Sequence, residues 1–148
     1  MQRIFLDTNV YILAQLNPRS NEEAILRKLG FYDAQRRSSI QVIISQELIE
    51  QILRVCKRIQ NKDWGAKIVD QIWQNLNCLF VPETEDLKAE AEQILTDQLI
   101  PTEDIFIYLT AKYGQADCFV SANRKLIQTI ADFPCFTPED FVQHFLTI

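Results

Sequence analysis

Four short apolar runs, each stopped by a polar residue or proline and separated by helical periodicity, limit what this chain can fold into. Ile4-Phe5-Leu6 stops on Asp7, and Val42-Ile43-Ile44 stops on Ser45. Cys78-Leu79-Phe80-Val81 stops at Pro82, and Cys118-Phe119-Val120 stops on Ser121. Continuous apolar runs of this length suit strands covered on both faces, as in parallel sheets. Between them the apolar residues recur at helical spacing. Asn21 to Arg37 is one such segment, and Leu48, Ile49, Ile52, Val55, Cys56 and Ile59 keep a 3.6 period. Gln46 to Asn77 reads as two helices broken near Asn61-Lys62-Asp63 and Gly65. Thr137-Pro138-Glu139-Asp140 reads as a helix start, with Thr137 as its cap. Alternation of this kind predicts an α/β fold: a three-layer α/β/α sandwich around a central parallel sheet of four to five strands. A length of 148 residues fits one domain over 1–148.

The scarce residues exclude whole classes of chemistry. The 3 glycines, Gly30, Gly65 and Gly114, are too far apart to write a phosphate-cradling loop. His144 is the 1 histidine, which removes paired-histidine catalysis and the common histidine zinc sites. The 4 cysteines, Cys56, Cys78, Cys118 and Cys135, form no C-x-x-C pair and read as reduced, mostly buried thiols. The apolar start is broken at Asp7, so it does not read as a signal peptide, and no apolar run reaches membrane-span length. A cytoplasmic protein without a membrane partner is expected. Oxygen ligands remain: 20 Asp and Glu, with Asn and Gln.

Ligands of an open parallel sheet gather outside the C-terminal ends of its strands. Asp7, Ser45 and Ser121 end three strands and should meet at one edge. Asp7 follows three apolar residues and should be partly desolvated, so its charge needs a cation or several N–H donors. Taken alone, Asp7 reads as a helix cap, Asp104 as a first-turn carboxylate and Asn123 as another cap. Asp117 precedes the last of the four runs. Together these groups surround one sheet edge with oxygen.

These residues carry a resemblance. "IFLDTN" resembles the opening of PIN domains, and "VIISQELIEQILRV" is similar to their second strand and helix. "TEDIFIYLTAKYGQADCFVSANRKL" looks like their third block, and "FPCFTPEDFVQHF" like the end of many of them. The resemblance implies a PIN-like fold and a metal-dependent ribonuclease, in many relatives the toxin of a toxin–antitoxin pair. It implies RNA as substrate, an antitoxin protein as a possible partner, and a homodimer. It puts the family's metal ligands on Asp7, Asp104, Asp117 and Asn123, with Asp7 and Asp104 catalytic. Thr8, Asn9, Ser45, Gln51 and Ser121 would line the site. The expected cofactor is Mg2+ or Mn2+, ions that prefer oxygen ligands.

One position departs from the pattern. The family's second acid falls on Gln51, so Glu47 and Glu50 are the candidate catalytic substitutes. Glu47 lies ~40° from Gln51 around a regular helix and Glu50 ~100° away. Arg124 and Lys125, beside Asn123, are the expected RNA contacts; Arg54, Lys57 and Arg58 can share one helix face, which reads as solvated in preference to a second RNA patch. The net charge of −5 means that RNA must be held by local patches. Gln51 and Asn123 also fit a second reading, a catalytically weakened PIN fold that binds RNA or protein. A signalling receiver would likewise place an acid after strand one, but Pro82 after the third run argues against it.

Overall fold

The computed structural model describes residues 1–146. Five strands form one parallel sheet in the order β3-β2-β1-β4-β5. They are β1 (Arg3–Leu6), β2 (Gln41–Ile44), β3 (Cys78–Phe80), β4 (Cys118–Val120) and β5 (Cys135–Phe136). The crossovers are helical: α1 (Thr8–Leu16) and α2 (Asn21–Leu29) precede β2, and α3 (Gln46–Ile59) and α4 (Lys62–Asn75) precede β3. Then α5 (Glu85–Asp97) and α6 (Ile105–Tyr113) lead to β4, α7 (Arg124–Thr129) leads to β5, and α8 (Pro138–Phe141) follows. The result is a three-layer α/β/α arrangement.

Burial explains why the strands are apolar without alternation. Ile4, Phe5, Leu6, Val42, Ile43, Ile44, Phe119 and Val120 are all fully buried, so both sheet faces are covered. Phe5 and Phe119 stack across β1 and β4 with centroids 5.2 Å apart. At the edge strand β3 burial relaxes, and Phe80 is exposed beside Trp73.

The helices start where their caps dictate. Ser45 accepts from the Leu48 N–H at the start of α3, and Asn61 accepts from the Trp64 N–H at the start of α4. The break between those helices therefore falls where the sequence places it. Gly65 lies inside α4 and outside that break. It packs where a Cβ would come 3.0 Å from the Cys56 Cβ, so its missing side chain lets α4 approach α3.

The expected helical segment from Asn21 to Arg37 is shorter in the structure. It stops at Leu29 because Gly30 adopts a left-handed conformation, with φ of 96°. A Cβ on Gly30 would meet the Arg37 Cα at 2.7 Å, so the chain folds back on itself there and continues as a 3₁₀ turn at Ala34–Arg36. All 4 cysteines are free, with Cys56 and Cys118 buried and Cys78 and Cys135 partly buried.

Candidate functional site

The adjacency of β2, β1 and β4 brings Ser45, Asp7 and Ser121 to one sheet edge, as their positions in the sequence predict. Asp7 ends β1 and caps α1, its carboxylate accepting from the Thr8 N–H at 2.7 Å. The Ser121 hydroxyl donates to the other carboxylate oxygen at 2.7 Å. Ser121 in turn accepts from the Asn9 amide at 3.2 Å and the Asn123 N–H at 3.0 Å. The Asn9 oxygen accepts from the Ala122 N–H at 3.0 Å. This network ties the start of α1 to the β4–α7 loop and fixes the Asp7 rotamer.

Asp7 is only 4% exposed. Burial pushes its carboxyl above the ordinary range, against the lowering effect of the Ser121 and Thr8 donors. Asp104, at the junction of a 3₁₀ turn (Thr102–Asp104) with α6, is half-buried and pushed up to about 6. Burial is the main cause, followed by the negative charges of Asp7 and Glu103. A buried carboxylate and a second one whose ionisation it opposes, lining one cleft, are suited to a shared cation.

That cleft has a volume of about 460 Å³. Its polar end holds Asp7, Thr8, Asn9, Gln51, Asp104 and Asn123. Gln51 is a strut across it: the Thr8 hydroxyl donates to its amide oxygen, and its amide nitrogen donates to the Glu103 carbonyl at 3.4 Å. The strut joins β1–α1, α3 and the turn before α6. Asn123 lines the cleft while its side-chain oxygen caps α7 through the Leu126 N–H at 3.1 Å.

Several expected positions lie elsewhere. Asp117 precedes β4, so it sits at the opposite, N-terminal edge of the sheet. There it accepts from the Gln2 and Arg3 N–H groups at 2.7 and 2.8 Å, which holds its carboxyl below the ordinary range. It cannot share a ligand with Asp7. Neither Glu47 nor Glu50 lines the Asp7 cleft; both line an adjoining depression with Ser45. Glu50 accepts from Gln46 at 3.2 Å, and Glu47 pairs with Arg54 at 3.3 Å. The regular helix that caps at Ser45 leaves Gln51 itself at the position facing Thr8. Arg124 and Lys125 line two other depressions.

The rest of the cleft runs along α3 and α1. Arg54 and Arg58 line it with Val55 and Ile59 of α3, opposite Ile12, Leu13 and Leu16 of α1. The available signal was phase: Arg58 falls about 20° from Gln51 around the helix and Arg54 about 60° from it.

Among the described residues no group of three or more His, Cys, Asp or Glu is placed to hold a metal ion. Magnesium, however, is commonly bound through one or two carboxylates, with water and substrate phosphate completing its octahedron. Asp7 and Asp104 fit that mode and do not form an all-protein cage.

Comparison with known proteins agrees with this architecture. The model of the PIN domain matches residues 4–131, so the chain belongs to the PIN-domain family. Among solved structures it is similar to VapBC2 of Rickettsia felis bound to a promoter DNA fragment, with a TM-score of 0.64 and 16% identity. That match covers 92% of this chain and 98% of the other. VapBC-1 of nontypeable Haemophilus influenzae matches with a TM-score of 0.64 and 18% identity, covering 93% and 99%. VapC20 of Mycobacterium tuberculosis, a toxin that cleaves the sarcin–ricin loop, matches with a TM-score of 0.54 and 13% identity, covering 78% and 86%. No curated protein sequence matches the chain.

Proposed function

We propose that this chain is a metal-dependent ribonuclease of the toxin type, hydrolysing RNA phosphodiester bonds with Mg2+ or Mn2+. The observation that carries the reading is the pairing of buried Asp7 with half-buried Asp104 across one cleft at the C-terminal sheet edge. Asp7 and Asp104 would hold the cation, which when bound supplies charge to activate water and to stabilise a phosphodiester transition state. Ser121 and the Thr8 N–H keep Asp7 oriented. Gln51 holds the turn that presents Asp104. Asn123 adds a neutral polar wall.

An antitoxin protein is the proposed partner, supported by the VapBC complexes among the structural neighbours. A homodimer in the cytoplasm completes the reading. No helix among the described residues is long and apolar enough to cross a membrane.

A second reading has its own support. Gln51 supplies no charge, and its oxygen is already engaged by Thr8. This favours a weakened PIN fold that binds RNA or protein without cutting. Incubating the protein with a generic RNA and Mn2+, with Asp7→Asn as control, separates the two. Cleavage by the wild type and not by the variant supports the nuclease. Equal background in both sinks it.

A further inference from the structure

We propose that Arg54 and Arg58 form a phosphate-holding subsite for single-stranded RNA, placed on α3 just outside the Asp7–Asp104 end of the cleft. The proposal rests on the ribonuclease reading for the identity of the ligand, and its geometry is independent of it. Both residues line the same cleft as Asp7 and Asp104. They stand one helical turn apart, about 6 Å along the axis, and lie on the stripe that carries Gln51. From the inner end outward the wall therefore reads Gln51, Arg54, Arg58.

The two guanidinium groups are held differently. Glu47 pairs with Arg54 at 3.3 Å from two turns back, which draws that guanidinium toward the inner end of α3. Arg58 makes no ion pair or hydrogen bond among the described residues, so its donors are free. Facing them, α1 offers Ile12, Leu13 and Leu16, and α3 itself adds Val55 and Ile59. Leu16 is 43% exposed and Ile59 48% exposed. The cleft thus has a cationic wall and an aliphatic floor, and its inner end is acidic.

A nucleic-acid strand matches that layout better than a peptide does. Its phosphates fit the guanidinium fork, its bases or riboses cover the aliphatic floor, and a phosphodiester reaches the acidic end. An acidic peptide would satisfy the arginines, but its acidic side chains would leave the aliphatic floor uncovered. The overall charge of −5 sharpens the requirement: with no long-range attraction, a local pair of arginines must supply the affinity. Arg124 and Lys125 flank other depressions and contribute less.

The test measures binding of a short fluorescein-labelled single-stranded RNA by anisotropy in EDTA, across a salt series. The Arg54→Gln/Arg58→Gln double variant is compared with Lys57→Gln/Lys62→Gln, which removes the same charge from outside the cleft. Circular dichroism checks folding, and Arg54→Lys/Arg58→Lys keeps the charge with minimal disturbance. The cleft double variant should weaken Kd by about tenfold or more. It should also flatten the slope of log Kd against log salt by about 1.4, or ~0.7 for each lost phosphate contact. The lysine control should weaken binding by less than about threefold, and the Arg→Lys variant should recover most of the slope. Equal weakening by both glutamine pairs overturns the subsite. So does cleft-dependent binding of polyglutamate with none of RNA, which assigns the wall to an acidic protein segment. A parallel cleavage assay in Mn2+ separates this inference from the function. Arginine-dependent binding without cleavage fails only the nuclease reading. Cleavage with KM unchanged in the cleft double variant fails only the subsite.

Discussion

The two edges of the sheet carry the same residue type in opposite electrostatic states. At the N-terminal edge, Asp117 is exposed and receives two backbone N–H groups, so its negative charge is satisfied within the protein. At the C-terminal edge, Asp7 and Asp104 are desolvated and Asp104 is opposed by Asp7 and Glu103. The first arrangement fastens the chain terminus to β4. The second gives Asp7 two donors as well, but burial and the like charges around Asp104 leave excess negative charge that a cation would offset. Carboxylates at a sheet edge therefore differ in burial and in the charges around them, and spacing in the sequence does not make that division.

The largest expected effect separates the edges by activity. Asp7→Asn and Asp104→Asn should each lower metal-dependent RNA cleavage by more than the ~10–100-fold typical of changing a group that only orients a metal ligand. Asp117→Asn, far from the cleft, should stay within about threefold. A fluorogenic RNA assay checks all three.

Next comes the missing acid. Gln51→Glu places a third carboxylate at the strut position and should tighten Mn2+ binding by about tenfold through ligand charge. The same change removes the N–H donated to the Glu103 carbonyl and adds a like charge. The metal-free melting temperature should fall while the shift caused by Mn2+ grows. Differential scanning fluorimetry with and without metal reads both.

The edges should also show opposite pH signatures without metal. The Asp104 pKa is raised, so its ionised form is disfavoured in the folded state. Stability is fully present below pH ~4 and is lost as pH rises through about 6. Asp104→Asn should therefore stabilise the protein at pH 7.5 by about 1 kcal/mol, or 2–4 °C, after allowance for solvent screening. The gain should vanish near pH 4. The Asp117 pKa is lowered, so its contribution is present above its unfolded pKa and is lost as pH falls. Asp117→Ala should cost about 0.5 kcal/mol at pH 7.5 and nothing in strong acid. Thermal melts across pH distinguish the two signs.

The smallest effect concerns a group at neither edge. The Tyr11 hydroxyl is buried without a hydrogen-bond partner among the described residues. Tyr11→Phe should change stability by less than about 0.5 kcal/mol, or raise it, because no hydrogen bond is lost. Urea unfolding measures it.

The fold was legible because burial on both faces of β1, β2 and β4 leaves unbroken apolar runs that periodicity detects. Asp7 was legible for the same reason: it ends such a run. Of β5, two residues long, only the range of four to five strands gave notice. The helix ending at Leu29 was overrun because apolar residues continue past Gly30, and only the close approach of Arg37 shows that the chain must turn there. Asp117 was misplaced because one-dimensional spacing puts it near Asn123, while β4 separates them by the height of the sheet. Arg54 and Arg58 read as a solvated face in preference to an RNA patch because a charged helix face looks the same whether it borders water or a cleft. Their phase relative to Gln51 carries the difference, and it becomes visible once Gln51 is seen bonded to Thr8.

The desolvated carboxylates at the C-terminal edge are proposed to hold a cation, and Asp117 at the other edge is not. Isothermal titration calorimetry of Mn2+ into the wild type, Asp104→Asn and Asp117→Asn tests it directly. Millimolar or tighter binding by the wild type, unchanged binding by Asp117→Asn, and at least about tenfold weaker binding by Asp104→Asn are expected. No binding by the wild type, or equal loss in both variants, would contradict it.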